Sequence, residues 1–169
     1  AASSSVRIPI PKAEEVVDTD TAGLQSTADA ISDWIVSVPV NDGPQGGTPT
    51  SLSLKFVGEQ SDLQTNDRED FVLLLTDGLP NCNPQAPNPA TCTCTQTTSC
   101  GSTALVCLDK DASVAAVTEL REQKGIRTIV IGFGAETASG AGPETLNAMA
   151  EAGGFARSCT QDADCGAGD

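Results

Sequence analysis

Uninterrupted apolar runs in the second half of the chain predict the strands of a buried sheet. Phe71–Leu75 and Ile129–Ile131 are apolar at every position. Such runs are typical of strands in parallel sheets, because helices cover both faces of these sheets. The predicted strands extend over residues 71–76 and 126–131. Residues 155–158 are a candidate for one more short strand.

Apolar residues at helical spacing predict helices that flank and separate these strands. The first helix begins after Asp20 or Thr21 and stops before Pro39, and Trp34, beside its apolar stripe, is predicted to be a core residue. The other helices run from Pro49 to Val57 with Thr48 as N-cap, from Asp109 or Asp111 to Gly125, and from Pro143 to Gly153-Gly154.

The alternation of strand and helix from Phe71 onward predicts an α/β fold with a parallel sheet and right-handed crossovers. In open sheets of this class, ligands bind at the carboxyl ends of the strands. Asp77 directly follows the first predicted strand and therefore occupies such a position. Taken singly, Asp77 before Gly78 is explained as a turn residue and Thr48 before Pro49 as a helix cap.

Charge and composition exclude several classes of function. The 169 residues contain 9 Lys and Arg against 23 Asp and Glu, a net charge of −14. This charge opposes binding to nucleic acid or anionic membranes and suits a divalent cation or a basic partner. The chain has no His, so Ser-His-Asp and Cys-His catalysis are excluded, and we expect no enzyme activity. No apolar run approaches the ~18 residues of a membrane span.

The chain has seven cysteines, and their polar surroundings favour disulfides and hence an oxidising compartment. Because the number is odd, at least one thiol is free or pairs outside this chain. The alternative is a zinc site formed by four of the clustered thiolates, although paired C-x2–4-C halves are missing. The candidates for disulfide bonds are Cys82, Cys92, Cys94, Cys100, Cys107, Cys159 and Cys165, without a preferred pairing.

Four segments, in this order, resemble the second half of a von Willebrand factor A domain: Gly46–Thr50, Phe71–Gly78, Ile129–Gly134 and Leu146–Gly154. The resemblance implies a Rossmann-like open parallel sheet with helices on both faces. It divides the chain into an irregular lead-in (1–20), a partial domain (21–158) that contains a cysteine-rich insertion (82–107) stapled by disulfides, and the start of a cysteine-rich tail (159–169).

The resemblance also implies a metal-ion-dependent adhesion site. Thr48 matches the family's threonine ligand and Asp77 its aspartate ligand, while Gly47, Thr50 and Gly78 would frame the site. Hydroxyl and carboxylate oxygens suit Mg²⁺, Mn²⁺ or Ca²⁺. The family's D-x-S-x-S loop and its first strand are absent from this sequence. We therefore expect cation binding only where another segment or another chain supplies that missing half.

These observations lead to two expected functions. The first is an extracellular adhesion domain, secreted or held at the surface of a bacterium as in lipoproteins, in which a bound cation captures a carboxylate of a protein partner. The second is a metal-independent structural subunit of an extracellular assembly or appendage, which would interact through the cysteine-rich loop or an exposed strand edge.

Overall fold

The computed structural model describes residues 6–9, 21–38, 47–64, 69–89, 92, 94–95 and 103–155, without the side chains of residues 103 and 104. The chain divides into two units between Gly47 and Thr48, inside the predicted domain of residues 21–158. The elements are α1 (Thr21–Ser37), α2 (Thr50–Gly58), a 3-10 turn (Ser61–Leu63), β1 (Phe71–Thr76), α3 (Thr103–Cys107), α4 (Lys110–Lys124), β2 (Arg127–Gly132) and α5 (Gly142–Gly153).

The first unit contains the predicted amphipathic helix, α1, but its apolar stripe is not buried. None of the residues of α1 is buried, and Trp34 remains 42% exposed. The prediction that Trp34 is a core residue is therefore wrong. Within the described part of this unit there is no second helix or strand against which the stripe could pack.

The second unit contains the predicted parallel strands. β1 pairs with β2 in parallel, and the register runs from Phe71 opposite Arg127 to Thr76 opposite Gly132. The α/β class and the parallel pairing are thus confirmed. Each strand has the boundaries that its apolar run predicted to within one residue, since β2 begins at Arg127 instead of residue 126.

One face of β1 packs on the core and the other is open. Val72 and Leu74 are partly buried against the core, whereas Phe71, Leu73 and Leu75 are 44%, 54% and 58% exposed. The prediction that this strand is covered on both faces is wrong for the described residues. An all-apolar strand indicates which residues can be buried, but the covering elements come from elsewhere in the chain.

The core lies where α2, α4 and α5 pack around the covered face of the sheet. α2 approaches α4 closely, because a Cβ atom at Gly58 would lie 2.9 Å from Leu120 Cδ2. α5 approaches β2 more closely still, because a Cβ atom at Gly153 would overlap the carbonyl oxygen of Thr128. The buried apolar side chains of this core are Leu54, Ala116, Val117, Leu120, Ile126 and Met149.

The predicted ends of α4 and α5 are confirmed. Gly125 and Gly154 follow the two helices in the left-handed conformation, with φ of 71° and 85°, which glycine adopts without steric cost. Asp109 holds the N-cap position of α4, but its side chain makes no capping hydrogen bond. α5 begins at Gly142, one residue before the predicted Pro143.

Candidate functional site

Asp77 lies in the bend that immediately follows β1. The Thr76 hydroxyl donates a hydrogen bond to the carbonyl oxygen of Gly78 (2.6 Å), which turns the chain sharply at the end of the strand. The side chain of Asp77 is exposed and makes no hydrogen bond or ion pair with the described residues. Its carboxylate oxygens therefore face solvent at the carboxyl end of the sheet.

Thr48 is held beside the same end of the sheet by its backbone. Its N–H donates to Asn81 Oδ1 (2.5 Å), and its carbonyl oxygen accepts from the N–H of Asn81 (3.2 Å). The prediction that Thr48 caps α2 is wrong, since the helix begins at Thr50 and Pro49 takes the cap position. The paired contacts with Asn81 set this local geometry, and the hydroxyl of Thr48 makes no hydrogen bond within the described part of the chain.

Gly78 marks the point at which these segments meet. A Cβ atom at Gly78 would lie 4.0 Å from Thr48 Oγ1 and 3.3 Å from Glu136 Oε2. The structure therefore brings the Thr48 hydroxyl to the residue that follows Asp77, at one rim of the sheet. Of the other residues predicted to frame the site, Gly47 is exposed, whereas Thr50 is buried in the first turn of α2.

Glu136 is a component of this rim that the sequence analysis missed. It lies in the loop after β2, and this loop is anchored to β1 because the N–H of Phe133 donates to the carbonyl oxygen of Thr76 (3.0 Å). No motif surrounds Glu136. Its position in the sequence could have identified it. Loops that follow neighbouring parallel strands lie at the same edge of the sheet, so an acidic residue shortly after β2 is a candidate for the same site as Asp77.

The cysteine-rich segment contains the predicted disulfide chemistry. Cys92 and Cys107 form a disulfide bond with Cα atoms 5.1 Å apart, and Cys94 is also disulfide-bonded. This pairing excludes a zinc site that uses Cys92 and Cys107 as thiolates. Cys82 is a free, half-buried thiol. Cys100, Cys159 and Cys165 lie outside the described residues, as do the tail at 159–169 and most of the possible strand at 155–158.

Hydrogen bonds connect the end of this segment to the first turn of α2. Asp109 Oδ2 accepts from the Ser51 hydroxyl (2.5 Å), and the N–H of Asp109 donates to the carbonyl oxygen of Pro80 (2.8 Å). Burial raises the pKa of the Asp109 carboxyl above its ordinary value, against the opposing effect of the Ser51 hydrogen bond. Asp109, which follows Cys107 closely in the sequence, thus makes hydrogen bonds with both α2 and the segment after β1. Asn81 in that segment holds the backbone of Thr48.

The donor atoms at the rim suit a hard cation but do not complete its coordination. Thr48, Asp77 and Glu136 offer one hydroxyl and two carboxylates, the oxygen ligands that Mg²⁺ and Ca²⁺ prefer. Mg²⁺ requires about six oxygen ligands. Among the residues that the structure describes, no group of three or more Cys, Asp or Glu side chains is arranged to hold a metal ion.

The described helices include none that is both long and apolar enough to cross a membrane. Comparisons with protein-family models, with curated proteins and with solved structures found no match to this chain.

Proposed function

We propose that this chain is part of an extracellular protein-binding domain of the von Willebrand factor A type, which captures a partner carboxylate through a divalent cation. The observation that carries the proposal is the meeting of Thr48 with the Asp77-Gly78 bend at the carboxyl end of the sheet. Both side chains keep their oxygens free of hydrogen bonds to the described residues. Two polar groups from distant segments thus share the rim where open α/β sheets bind ligands.

The residues present would fill part of a coordination shell. Asp77 would contribute a carboxylate oxygen and Thr48 a neutral hydroxyl, each a suitable donor for Mg²⁺ or Mn²⁺. When bound, the cation would act as a Lewis acid that attracts an anionic group. Asn81 would keep Thr48 in place, because it holds both the N–H and the carbonyl oxygen of that residue.

The remaining ligands would come from outside this sequence. The D-x-S-x-S loop of the family has no counterpart here, so the proposal assigns that loop to another segment or to another chain. The open face of β1 supports this assignment, since Phe71, Leu73 and Leu75 are exposed in the absence of such a covering element. The disulfide-bonded segment after Asp77 supports an extracellular location.

The test is cation binding by the complete polypeptide, measured by calorimetry with Mn²⁺ and Mg²⁺ in the presence and absence of EDTA. We expect Asp77→Ala to weaken Mn²⁺ binding at least about 10–100-fold, since even residues that only orient metal ligands have effects of this size. Asp33→Ala, at an exposed position of α1 and with the same change in charge, is the control and should bind as the wild type does. Equal Mn²⁺ affinity in all three proteins refutes the proposal.

A second candidate function is a metal-independent subunit of an extracellular assembly. It is favoured by the row of exposed apolar side chains on β1, because contiguous apolar surface on a soluble domain marks interaction sites. Light scattering with and without EDTA separates the two candidates. Assembly that persists with chelator and is abolished by Leu73→Gln supports the second function, whereas a monomer at all concentrations contradicts it.

A further inference from the structure

The side of the sheet that faces away from the core is an apolar surface shared by both strands. Alternate side chains of a strand lie on one face, and the register places Leu73 beside Ile129 and Leu75 beside Ile131. Leu73, Leu75 and Ile131 are all exposed. We call this surface the open face, and its members are Phe71, Leu73, Leu75, Arg127, Ile129 and Ile131. Exposed apolar side chains that adjoin one another in this way mark an interaction site.

The open face has the dimensions of a single helix. β1 has six residues, which extend over about 20 Å, and the two strands lie about 4.8 Å apart. A helix with its side chains is about 10–12 Å wide, and about 13 of its residues span the same length. The opposite face of the sheet already packs in this manner, since Val72 and Val130 lie against the core that includes Met149 of α5. One helix would therefore cover the open face.

A positive charge is fixed at the amino end of the open face. Arg127 lies opposite Phe71 in the register. Its guanidinium carbon is 3.9 Å from the centroid of the Phe155 ring, and its Nη2 donates to the carbonyl oxygen of Gly154 (2.9 Å). These two contacts hold the guanidinium where the strands begin.

The carboxyl end of the open face carries the opposite charge. Asp77 is exposed directly after β1, and a Cβ atom at Gly78 would lie 3.3 Å from Glu136 Oε2. A helix has a partial positive charge at its N-terminus and a partial negative charge at its C-terminus. A helix that runs antiparallel to β1, from Asp77 towards Arg127, would therefore complement the charges at both ends.

We propose that the open face binds an amphipathic helix of a protein partner, with the N-terminus of that helix at Asp77 and its C-terminus at Arg127. The apolar stripe of the partner helix would cover Leu73 and its neighbours. Basic residues in its first turn would add to the attraction, because the chain has a net charge of −14. This inference goes beyond the proposed function, since it requires no cation.

The test measures binding of labelled synthetic peptides to the complete polypeptide by fluorescence anisotropy in the presence of EDTA. The first peptide is an amphipathic helix of about 14 residues with lysines in its first turn. The second has the same composition and the same apolar stripe, with the lysines in its last turn. We expect the first peptide to bind several-fold more tightly than the second, because the second places its lysines at Arg127.

Two pairs of variants locate the binding surface. Leu73→Gln should weaken binding of the first peptide about four- to tenfold, since roughly half of the surface of this leucine is still available for burial. Leu52→Gln, at an equally exposed position of α2, is the matched control and should bind as the wild type does. Asp77→Asn should weaken binding about two- to fivefold, whereas Asp33→Asn, on α1, should leave it unchanged.

Binding that depends on Leu73, on Asp77 and on the position of the lysines supports the inference. Equal binding of both peptides overturns the assigned orientation. Absence of binding, or an equal loss in Leu52→Gln, overturns the inference and leaves the proposed function standing, since EDTA keeps cations out of the assay. Protection of Leu73 from hydroxyl-radical labelling in the free polypeptide would assign the face to another part of that polypeptide. Self-association that Leu73→Gln abolishes would assign it to a second copy, and either result overturns the inference.

Discussion

Replacing Gly153 with alanine tests how α5 packs against β2. Gly153 is the last residue of α5 and is buried. A Cβ atom there would lie within van der Waals overlap of the Thr128 backbone, with the carbonyl carbon 3.1 Å away and the carbonyl oxygen nearer. Because the obstacle is the backbone of a strand, the helix itself must move to make room for a methyl group.

Two opposing effects determine the size of the change. Alanine stabilises a helix interior by up to about 1 kcal/mol relative to glycine. Overpacking costs about 1–3 kcal/mol, and we expect the upper part of this range because the displacement of α5 would also loosen the fully buried Met149. The net expectation is a loss of about 2 kcal/mol in the free energy of unfolding, or about 4–8 °C in melting temperature.

Urea denaturation followed by far-ultraviolet circular dichroism measures this loss. The control is Gly125→Ala, which has nothing within 4 Å and a φ of 71°. It therefore isolates the cost of a left-handed backbone, about 1 kcal/mol. If Gly153→Ala is as stable as the wild type, or more stable, the close approach of α5 to β2 is refuted.

Three further predictions concern the segment that joins the disulfide to α2. Ser51→Ala removes the hydroxyl donor to the buried Asp109 and should lower the free energy of unfolding by about 1–3 kcal/mol in urea; no measurable change would contradict this hydrogen bond. Burial raises the pKa of the Asp109 carboxyl in the folded state above 3.8, so the protonated carboxyl adds to the free energy of unfolding below that pH. This contribution is lost as the pH rises through the folded-state pKa. Asp109→Asn should therefore reduce the loss of stability between pH 3.8 and the folded-state pKa of Asp109, as measured by thermal melts across pH. An unchanged pH profile in this variant would contradict the expectation. Replacing both Cys92 and Cys107 with serine opens a bridge with a sequence separation of 15 and should cost about 3 kcal/mol in urea denaturation.

Local sequence was sufficient to predict α1, α2, α4, α5 and the two parallel strands in their order, but it did not predict α3 or the 3-10 turn. The apolar runs predicted the parallel strands, and the glycines after α4 and α5 marked the helix ends, since Gly125 and Gly154 adopt positive φ. These features depend on neighbours within a few residues, so they can be read from the chain itself. The position of Asp77 after β1 followed from the same reasoning, because a strand end is defined locally.

Contacts between distant segments could not be predicted in this way. Thr48 has the sequence context of a helix cap, but the side chain of Asn81 holds its backbone and the helix starts later. Trp34 and Leu73 are apolar positions that the structure leaves exposed. An apolar pattern states only that a face can be buried, and the partner that buries it is chosen by residues far along the chain.

Glu136 shows the same difference between local sequence information and long-range contacts at the candidate site. Nothing beside it in sequence marks it as functional, and it reaches Gly78 only because β2 pairs with β1 in one register and the following loop folds back over the strand end. The sequence by itself determined which segments form strands and helices, since periodicity and backbone conformation are local properties. The tertiary structure decided which oxygens share a rim, because their separation depends on how the strands pair and how the loops pack.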